Sequence, residues 1–281
     1  MPNHNGSISQ LKIQAVNGAE RGERTDKLAV EEPLEIRVAN LSGYRSGYQS
    51  LAVTMRTPGQ DFELAAGFLF GEGVIRHREE ICDITYCVDP EEPQHFNKVN
   101  VLLEDSVVLD MDKFSRRVYT TSSCGICGTA SLELVRKVCP ELPRGNMRLP
   151  AALLYQLPSR LTPQQPVFSC TGGLHAAALF REDGTLLGLR EDVGRHNALD
   201  KLIGKCLLEN ALPGSNTILL LSGRAGFELV QKAVMAGVPV IVSIGAPSSL
   251  AVELAREYGV TLAGFLRDQR FNIYAGGERI L

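Results

Sequence analysis

The 281-residue chain has no long apolar run, no excess of positive charge and no regular cysteine framework. Each absence removes a class of function. No stretch approaches the roughly 18 consecutive apolar residues that a membrane-spanning helix needs, so no membrane partner is expected. Lys+Arg 29 against Asp+Glu 32 leaves a net charge of -3. That balance gives no basic excess to hold a phosphate backbone, and nucleic acid is not expected as a partner. The cysteines number seven, an odd count at irregular spacings. They make a poor disulfide framework and suit a reducing cytoplasm. The opening MPNHNGSISQ has no basic segment leading into an apolar one, so no secretory signal is expected. Neither a Walker lysine motif nor GxGxxG occurs, which argues against an ATPase loop and a Rossmann dinucleotide site.

What remains is a chain with 44% hydrophobic residues, enough for one large folded domain or two smaller ones. Residues 1–120 read as a strand-rich α+β region. After a polar opening with one short strand candidate, LKIQAV, the period becomes two, with Leu34, Ile36 and Val38 on one face. YQSLAVTMRT, ICDITYCVD and NKVNVLLED read as further strands. Between them Phe62, Ala65, Ala66 and Leu69 mark one face of a helix that Gly71 stops. Cys82, Cys87, Cys139 and Cys206 lie among apolar neighbours or at element ends and read as small buried hydrophobes. Residues 121–150 form a loop with a CxxC, a short helix at SLELVRKV and the proline-containing linker CPELPRGNMRLP.

Residues 151–281 read as an α/β domain. LHAAALF and TLLGLR flank the turn REDG as a hairpin. An amphipathic helix, GRHNALDKLIGKCLLEN, follows. Then NTILLLS, VPVIVSI and VTLAGFL, each apolar throughout, alternate with the helices GFELVQKAVMAG and PSSLAVELAREYG. That order predicts parallel strands with right-handed crossovers. The loops after parallel strands share one edge, where open α/β sheets bind ligands. Ser222 and Arg224 lie on the first such loop, and Arg267 and Arg270 on the third; Arg195 and His196 open the amphipathic helix. Glycines, a helix N-terminus and arginine forks together suit a phosphate-bearing, nucleotide-sized ligand. The plain alternative for any one of these arginines is a surface salt bridge to Glu191, Asp192 or Asp268. His196 is a second-tier candidate, and His175 reads first as a satisfied core histidine.

TSSCGICGTAS places Cys124 and Cys127 two residues apart among glycines and small polar residues. Zinc wants four ligands, and only Cys170 and His175 are at hand to complete a set. No H-x-E accompanies the pair, so a zinc deaminase is excluded. The spacing fits a thioredoxin-like disulfide site, but the position after a strand-rich region does not. The segment is too polar for plain core packing. A sulfur carrier needs an accessible thiolate with a second thiol nearby, which this pair supplies; Gly125 and Gly128 give the mobility it needs, and the helix start that follows favours the thiolate. Spacing alone does not decide between an electron shuttle and a sulfur shuttle.

Five blocks in one order, SSCGICG, EDVGRHNALDKLIG, SGRAGFELVQKA, AGVPVIVSIGAPSSLAVELA and GFLRDQRFNIY, resemble the formate dehydrogenase accessory sulfurtransferase family from about residue 30 onward. The resemblance implies a homodimer that takes sulfur from a cysteine desulfurase as a persulfide. It passes that sulfur to the bis(molybdopterin guanine dinucleotide) form of the molybdenum or tungsten cofactor, for formate dehydrogenase. It implies no permanently bound metal, and GDP as an analogue of the ligand. Cys124 matches the persulfide carrier and Cys127 the assisting thiol. The family's cofactor-binding segment falls on Phe265, Leu266, Arg267, Asp268, Gln269 and Arg270. The implied fold of the C-terminal part is a cytidine-deaminase-like three-layer α/β domain with a mixed sheet and no zinc chemistry. Asp268 and Gln269 stand where relatives carry a small or turn-forming pair; Asp268 is expected to pair with a neighbouring arginine or to read a guanine edge. A cofactor chaperone that delivers without transferring sulfur is the alternative.

Overall fold

The computed structural model describes residues 6–88, 96–109, 147–212 and 214–281. Cys124, Cys127, Cys139 and the expected helix at 131–138 lie outside them.

The first strands, β1 (Ile8–Asn17) and β2 (Glu20–Ala29), form a two-stranded antiparallel ribbon closed at Gly18, which has φ 61. The expected strand at LKIQAV is therefore ten residues long and has a partner made almost wholly of polar residues. A four-stranded sheet follows from β3 (Glu32–Asn40), β4 (Gln49–Arg56), β5 (Ile81–Tyr86) and β6 (Lys98–Leu103), in the order β4-β3-β6-β5. Its inward residues Leu34, Ile36, Val38, Val99, Val101 and Leu103 are buried against helix α1 (Asp61–Gly71). Alternation along each strand puts these residues on one face, as a half-buried sheet requires.

The rest of the chain builds helices α2 (Ala151–Leu161) and α3 (Pro166–Thr171), then the hairpin β7 (His175–Arg181) and β8 (Leu186–Asp192). After them come α4 (Arg195–Leu208), β9 (Thr217–Leu221), α5 (Phe227–Met235), β10 (Val240–Ser243), α6 (Ser249–Glu257), β11 (Thr261–Arg267) and β12 (Arg270–Ala275). The six strands run in the order β12-β11-β10-β9-β7-β8. Only β9, β10 and β11 are mutually parallel; β7, β8 and β12 run antiparallel to their neighbours, so the sheet is mixed. On β9, Leu219 and Leu221 join the core with α4, α5 and α6, while Ile218 and Leu220 join the second core with α2. Helices therefore cover both faces, the three-layer arrangement. Ser248 caps α6 by accepting from Ala251 N, and left-handed Gly259 follows that helix.

The two sheets are joined where α1 crosses α4. A Cβ on Gly67 would collide with the main-chain oxygen of Asp200, and one on Gly204 with that of Glu63. Two glycines at one crossing let the helix backbones approach more closely than any side chain allows. Beside the crossing, Lys232 Nζ lies 2.6 and 2.7 Å from the oxygens of Asp200, all buried. Burial pushes the Asp200 carboxyl up to about 6, and at neutral pH it stays ionised against the ammonium. Two cysteines depart from the expected role of core filler. Cys82 Sγ donates to Glu104 Oε1 at 3.1 Å and Arg37 Nη1 donates to Cys87 Sγ at 3.6 Å, both half-buried; Cys206 is buried as expected.

Candidate functional site

At the C-terminal ends of β9, β10 and β11 the main chain of three loops is knitted together. Ser222 N donates to Ala176 O at 3.0 Å, and Ala176 N donates to Ser222 Oγ at 2.8 Å, clipping the end of β9 to β7. Gly245 N then donates to Gly223 O at 3.0 Å, Ala225 N to Ala246 O at 3.2 Å, and Ser248 N to Ala225 O at 3.1 Å. Phe265 N reaches Gly245 O at 3.1 Å. Contacts this close need glycine: a Cβ on Gly245 would lie 2.9 Å from Arg224 N, and one on Gly264 2.9 Å from Pro247 Cδ.

The β11–β12 hairpin carries the third loop. Phe265 has φ 58, and the ladder shifts register between Gly264 and Arg267. Asp268 (φ 49) and Gln269 (φ 58) make a two-residue turn between the paired Arg267 and Arg270. Positive φ at both central residues is the geometry that suits the twist of a tight hairpin. Non-glycine residues held there are strained, and such strain gathers at functional sites. Arg267, Asp268, Gln269 and Arg270 are exposed, as is Phe265 at 37%. Leu266 departs from its expected place among ligand contacts: at 1% exposure it fills the core beside α2, and only its main chain faces outward.

Arg195 is the first residue of α4, after the cap residue Gly194. Its Nε is shielded from water without a hydrogen-bond partner among the described residues. A Cβ on Gly223 would lie 3.1 Å from His175 Nδ1 and 3.9 Å from Arg195 Cδ, so His175, Gly223 and Arg195 meet at this edge. Burial, then the Arg195 guanidinium, pulls the His175 imidazole below its ordinary range. His196 turns toward α5, with Nε2 3.2 Å from Glu228 Oε2. Burial and the charges of Arg195 and Lys232 outweigh that carboxylate and bring it to about 4, so the ring is neutral at pH 7.

The salt-bridge alternative for the arginines is not what the described residues show. No ion pair joins Arg195, Arg224, Arg267 or Arg270 to a carboxylate among them, and Asp268 has none either. Glu191 instead accepts from Val167 N at 3.2 Å and Phe168 N at 2.9 Å at the start of α3. Asp192 accepts from Gly194 N at 2.8 Å, Asn197 Nδ2 at 3.2 Å and Thr57 N at 3.1 Å, and pairs with Lys201 Nζ at 2.7 Å. Lys201 also donates to Thr57 O at 2.8 Å, and Asn197 Nδ2 to Met55 O at 2.7 Å. This buried strut ties the first turn of α4, with Arg195 and His196, to the end of β4. The sequence did carry a signal for it, since Asn197 and Lys201 sit four residues apart on a face otherwise filled by Ala198 and Leu202.

Among the described residues no group of three or more His, Cys, Asp or Glu side chains is placed to hold a metal ion. A cavity of about 520 Å³ lies at the opposite end of the sheet from the knitted loops, lined by Arg181, Lys205, Cys206, Glu209 and Thr217. No helix of the described residues is long and apolar enough to cross a membrane.

The sequence model of the FdhD/NarQ family matches residues 29–281. The sulfur carrier protein FdhD of Streptomyces avermitilis is 54% identical over 263 residues, covering 92% of this chain and 90% of its own. The protein of the same name from Mycolicibacterium paratuberculosis is 50% identical over 275 residues, covering 97% and 98%. A crystal structure of a formate dehydrogenase accessory protein from Desulfotalea psychrophila superposes with a TM-score of 0.73 at 28% identity, over 98% of this chain and 99% of that one.

Proposed function

The chain belongs to the FdhD/NarQ family, and from that premise we propose that it is a cytoplasmic sulfur carrier, a sulfurtransferase that serves formate dehydrogenase. The thiolate of Cys124 attacks the outer sulfur of a cysteine desulfurase persulfide. That S–S bond breaks, the desulfurase thiolate leaves, and Cys124 holds the sulfane sulfur. Cys127 then attacks Cys124 Sγ: sulfide leaves toward the metal of the bis(molybdopterin guanine dinucleotide) cofactor, and the two thiols end as a disulfide. The sulfane sulfur is reduced by two electrons and the thiol pair is oxidised by two, so a cellular thiol must reduce the pair before the next cycle.

The molybdenum or tungsten cofactor is cargo in this scheme, not a resident group. Its guanine nucleotide parts, for which GDP is an analogue, bind the knitted edge. Main-chain N–H groups and the start of α4 approach the phosphates there, and Arg195, Arg224, Arg267 and Arg270 supply the charge. Ser222, His196, Phe265, Asp268 and Gln269 border it. The observation that carries this reading is that these four arginines sit at one edge with no carboxylate partner among the described residues. The protein works as a homodimer on a cytidine-deaminase-like scaffold without that scaffold's zinc chemistry.

Intact-mass spectrometry after incubation with a desulfurase and cysteine tests the proposal. One added sulfur is expected on the Cys124 peptide. A Cys124→Ala protein should bind GDP as before and fail to support formate dehydrogenase. Full support by that variant would instead identify a chaperone that delivers the cofactor without transferring sulfur.

A further inference from the structure

The ribbon of β1 and β2 stands apart from the two larger sheets. An isolated two-stranded ribbon is marginal in water, and among the described residues this one meets the body at its base, where β2 also packs beside α3. There Val30 N donates to Ser7 O at 2.9 Å, Ser7 Oγ donates to Pro58 O at 2.8 Å, and Gly173 approaches Ala29. Every residue from Glu20 to Thr25 is exposed. The pairing Leu11↔Asp26, Ile13↔Arg24, Ala15↔Gly22 and Ser9↔Leu28 puts Leu11, Ile13, Ala15 and Leu28 on one face. Leu11 there is 51% exposed and Leu28 40%. Among the described residues the outer edge of β2 pairs with no strand. Such an edge is a template for another strand. The ribbon precedes the residues that the family model matches, apart from Ala29.

We propose that the outer edge of β2 pairs antiparallel with β2 of a second copy, about a two-fold axis through Gly22. The inference rests on the homodimer of the proposed function, gives it a surface, and is independent of the sulfur chemistry. A two-fold axis normal to a sheet keeps each residue on its own face, so a residue can lie opposite only itself or one an even number of positions away. Centring the axis on Arg21, Glu23, Arg24 or Asp26 sets a charge against itself. Centring it on Gly22 sets Glu20 opposite Arg24 and Arg21 opposite Glu23, each pair made twice. Opposite charges across a ladder attract and like charges repel. An added Cβ on Gly22 would have nothing within 4 Å, so the axis falls on open ground. A Thr25-centred register also matches charges, Glu23 with Lys27 and Arg24 with Asp26. It would, however, run the partner's tip against residues 28–30, where the chain near Gly173 is packed on Ala29. Glu20, Arg21 and Glu23 have no ion pair among the described residues; Arg24 has one exposed contact, 3.5 Å to Asp26, which the partner's Glu20 would replace.

Sedimentation equilibrium of the full chain, at about 50 mM and about 1 M salt, reads the association. Two charge variants test the surface: Glu20→Arg with Glu23→Arg, and Arg21→Glu with Arg24→Glu. All four positions are exposed, so far-UV circular dichroism and thermal melting should match the wild type. Each variant alone should associate at least about tenfold more weakly than wild type, while an equimolar mixture restores association as a heterodimer. Variants that associate like the wild type would overturn the ribbon surface and leave the homodimer standing. A mixture that fails to restore association would overturn the Gly22 register. A wild type that is monomeric throughout would overturn both the surface and the homodimer. Persulfide loading of Cys124, measured on the same samples, reports separately on the sulfur reading.

Discussion

Lys201 Nζ lies 2.7 Å from Asp192 Oδ2, and both side chains are sealed from water, at 1% and 0% exposure. The pair sits directly behind Arg195 and His196 and fastens the start of α4 to Thr57. Removing one member of a buried pair leaves an uncompensated charge. Asp192→Ala is therefore expected to lower stability by about 3–5 kcal/mol, read from urea unfolding, and to weaken GDP binding because the first turn of α4 loses its anchor. Asp192→Asn, whose single amide oxygen can still accept from Thr57 N and Lys201 on the Oδ2 side but not from Gly194 N as well, should lose less of both.

The crossing of α1 and α4 has no slack. Gly204→Ala would drive a methyl group into the carbonyl of Glu63, and main chain cannot step aside as a flexible side chain does. A loss of about 3 kcal/mol or more is expected, at or beyond the upper end for overpacked cores. Thermal melting checks it. Gly67→Ala should behave alike, and the double variant should lose less than the two single losses summed, because one separation of the helices accommodates both.

Arg267→Ala and Arg270→Ala are each expected to weaken GDP binding roughly ten- to a hundredfold, the cost of one charge-assisted contact at about 1.5–3 kcal/mol. Isothermal titration measures it. Leu266→Ala separates ligand contact from scaffold. Its side chain is in the core, so the expected loss is about 2–5 kcal/mol of stability. Unchanged GDP affinity in both arginine variants would remove the edge from the functional reading.

His196 gives an acid response. Its imidazole is held at about 4, below the ordinary 6.5, by burial and then by Arg195 and Lys232. A histidine depressed in this way binds fewer protons folded than unfolded. Its contribution is complete above about pH 6.5 and is lost progressively as pH falls toward 4. With the ring partly open to solvent, about 1–2 kcal/mol is expected over that window. His196→Gln should flatten the fall in urea-unfolding midpoint between those pH values.

Which elements could be read in advance follows from what signals them. The stretch from β9 to β11 was legible because its strands are apolar runs, Gly237 and Gly259 stop helices, and Ser248 caps one. β2 was not, because ERGERTDKLA has no alternation; it is a strand through pairing with β1 rather than through burial. α2 hid behind Pro158, which reads as a helix breaker yet sits within the helix. β12 went unread because Arg270, Asn272 and Ile273 leave an edge strand only half covered. At the site, charged loop residues were legible and the means of holding them was not. Asp192 looked like a counter-ion for the arginines, and only the fold shows it facing Lys201. Likewise Leu266 shared a loop with exposed neighbours, and the register shift beside it decides that it points inward.

The knitted loops have a practical consequence for anyone mapping this surface. Where Gly223, Gly245 and Gly264 bring strands of main chain together, a ligand would rest on hydrogen-bonded main chain that no side-chain deletion can remove. Alanine scanning would therefore credit the peripheral arginines and pass over the floor beneath them. That floor becomes visible only by adding bulk at the glycines or by exchanging single amides for esters.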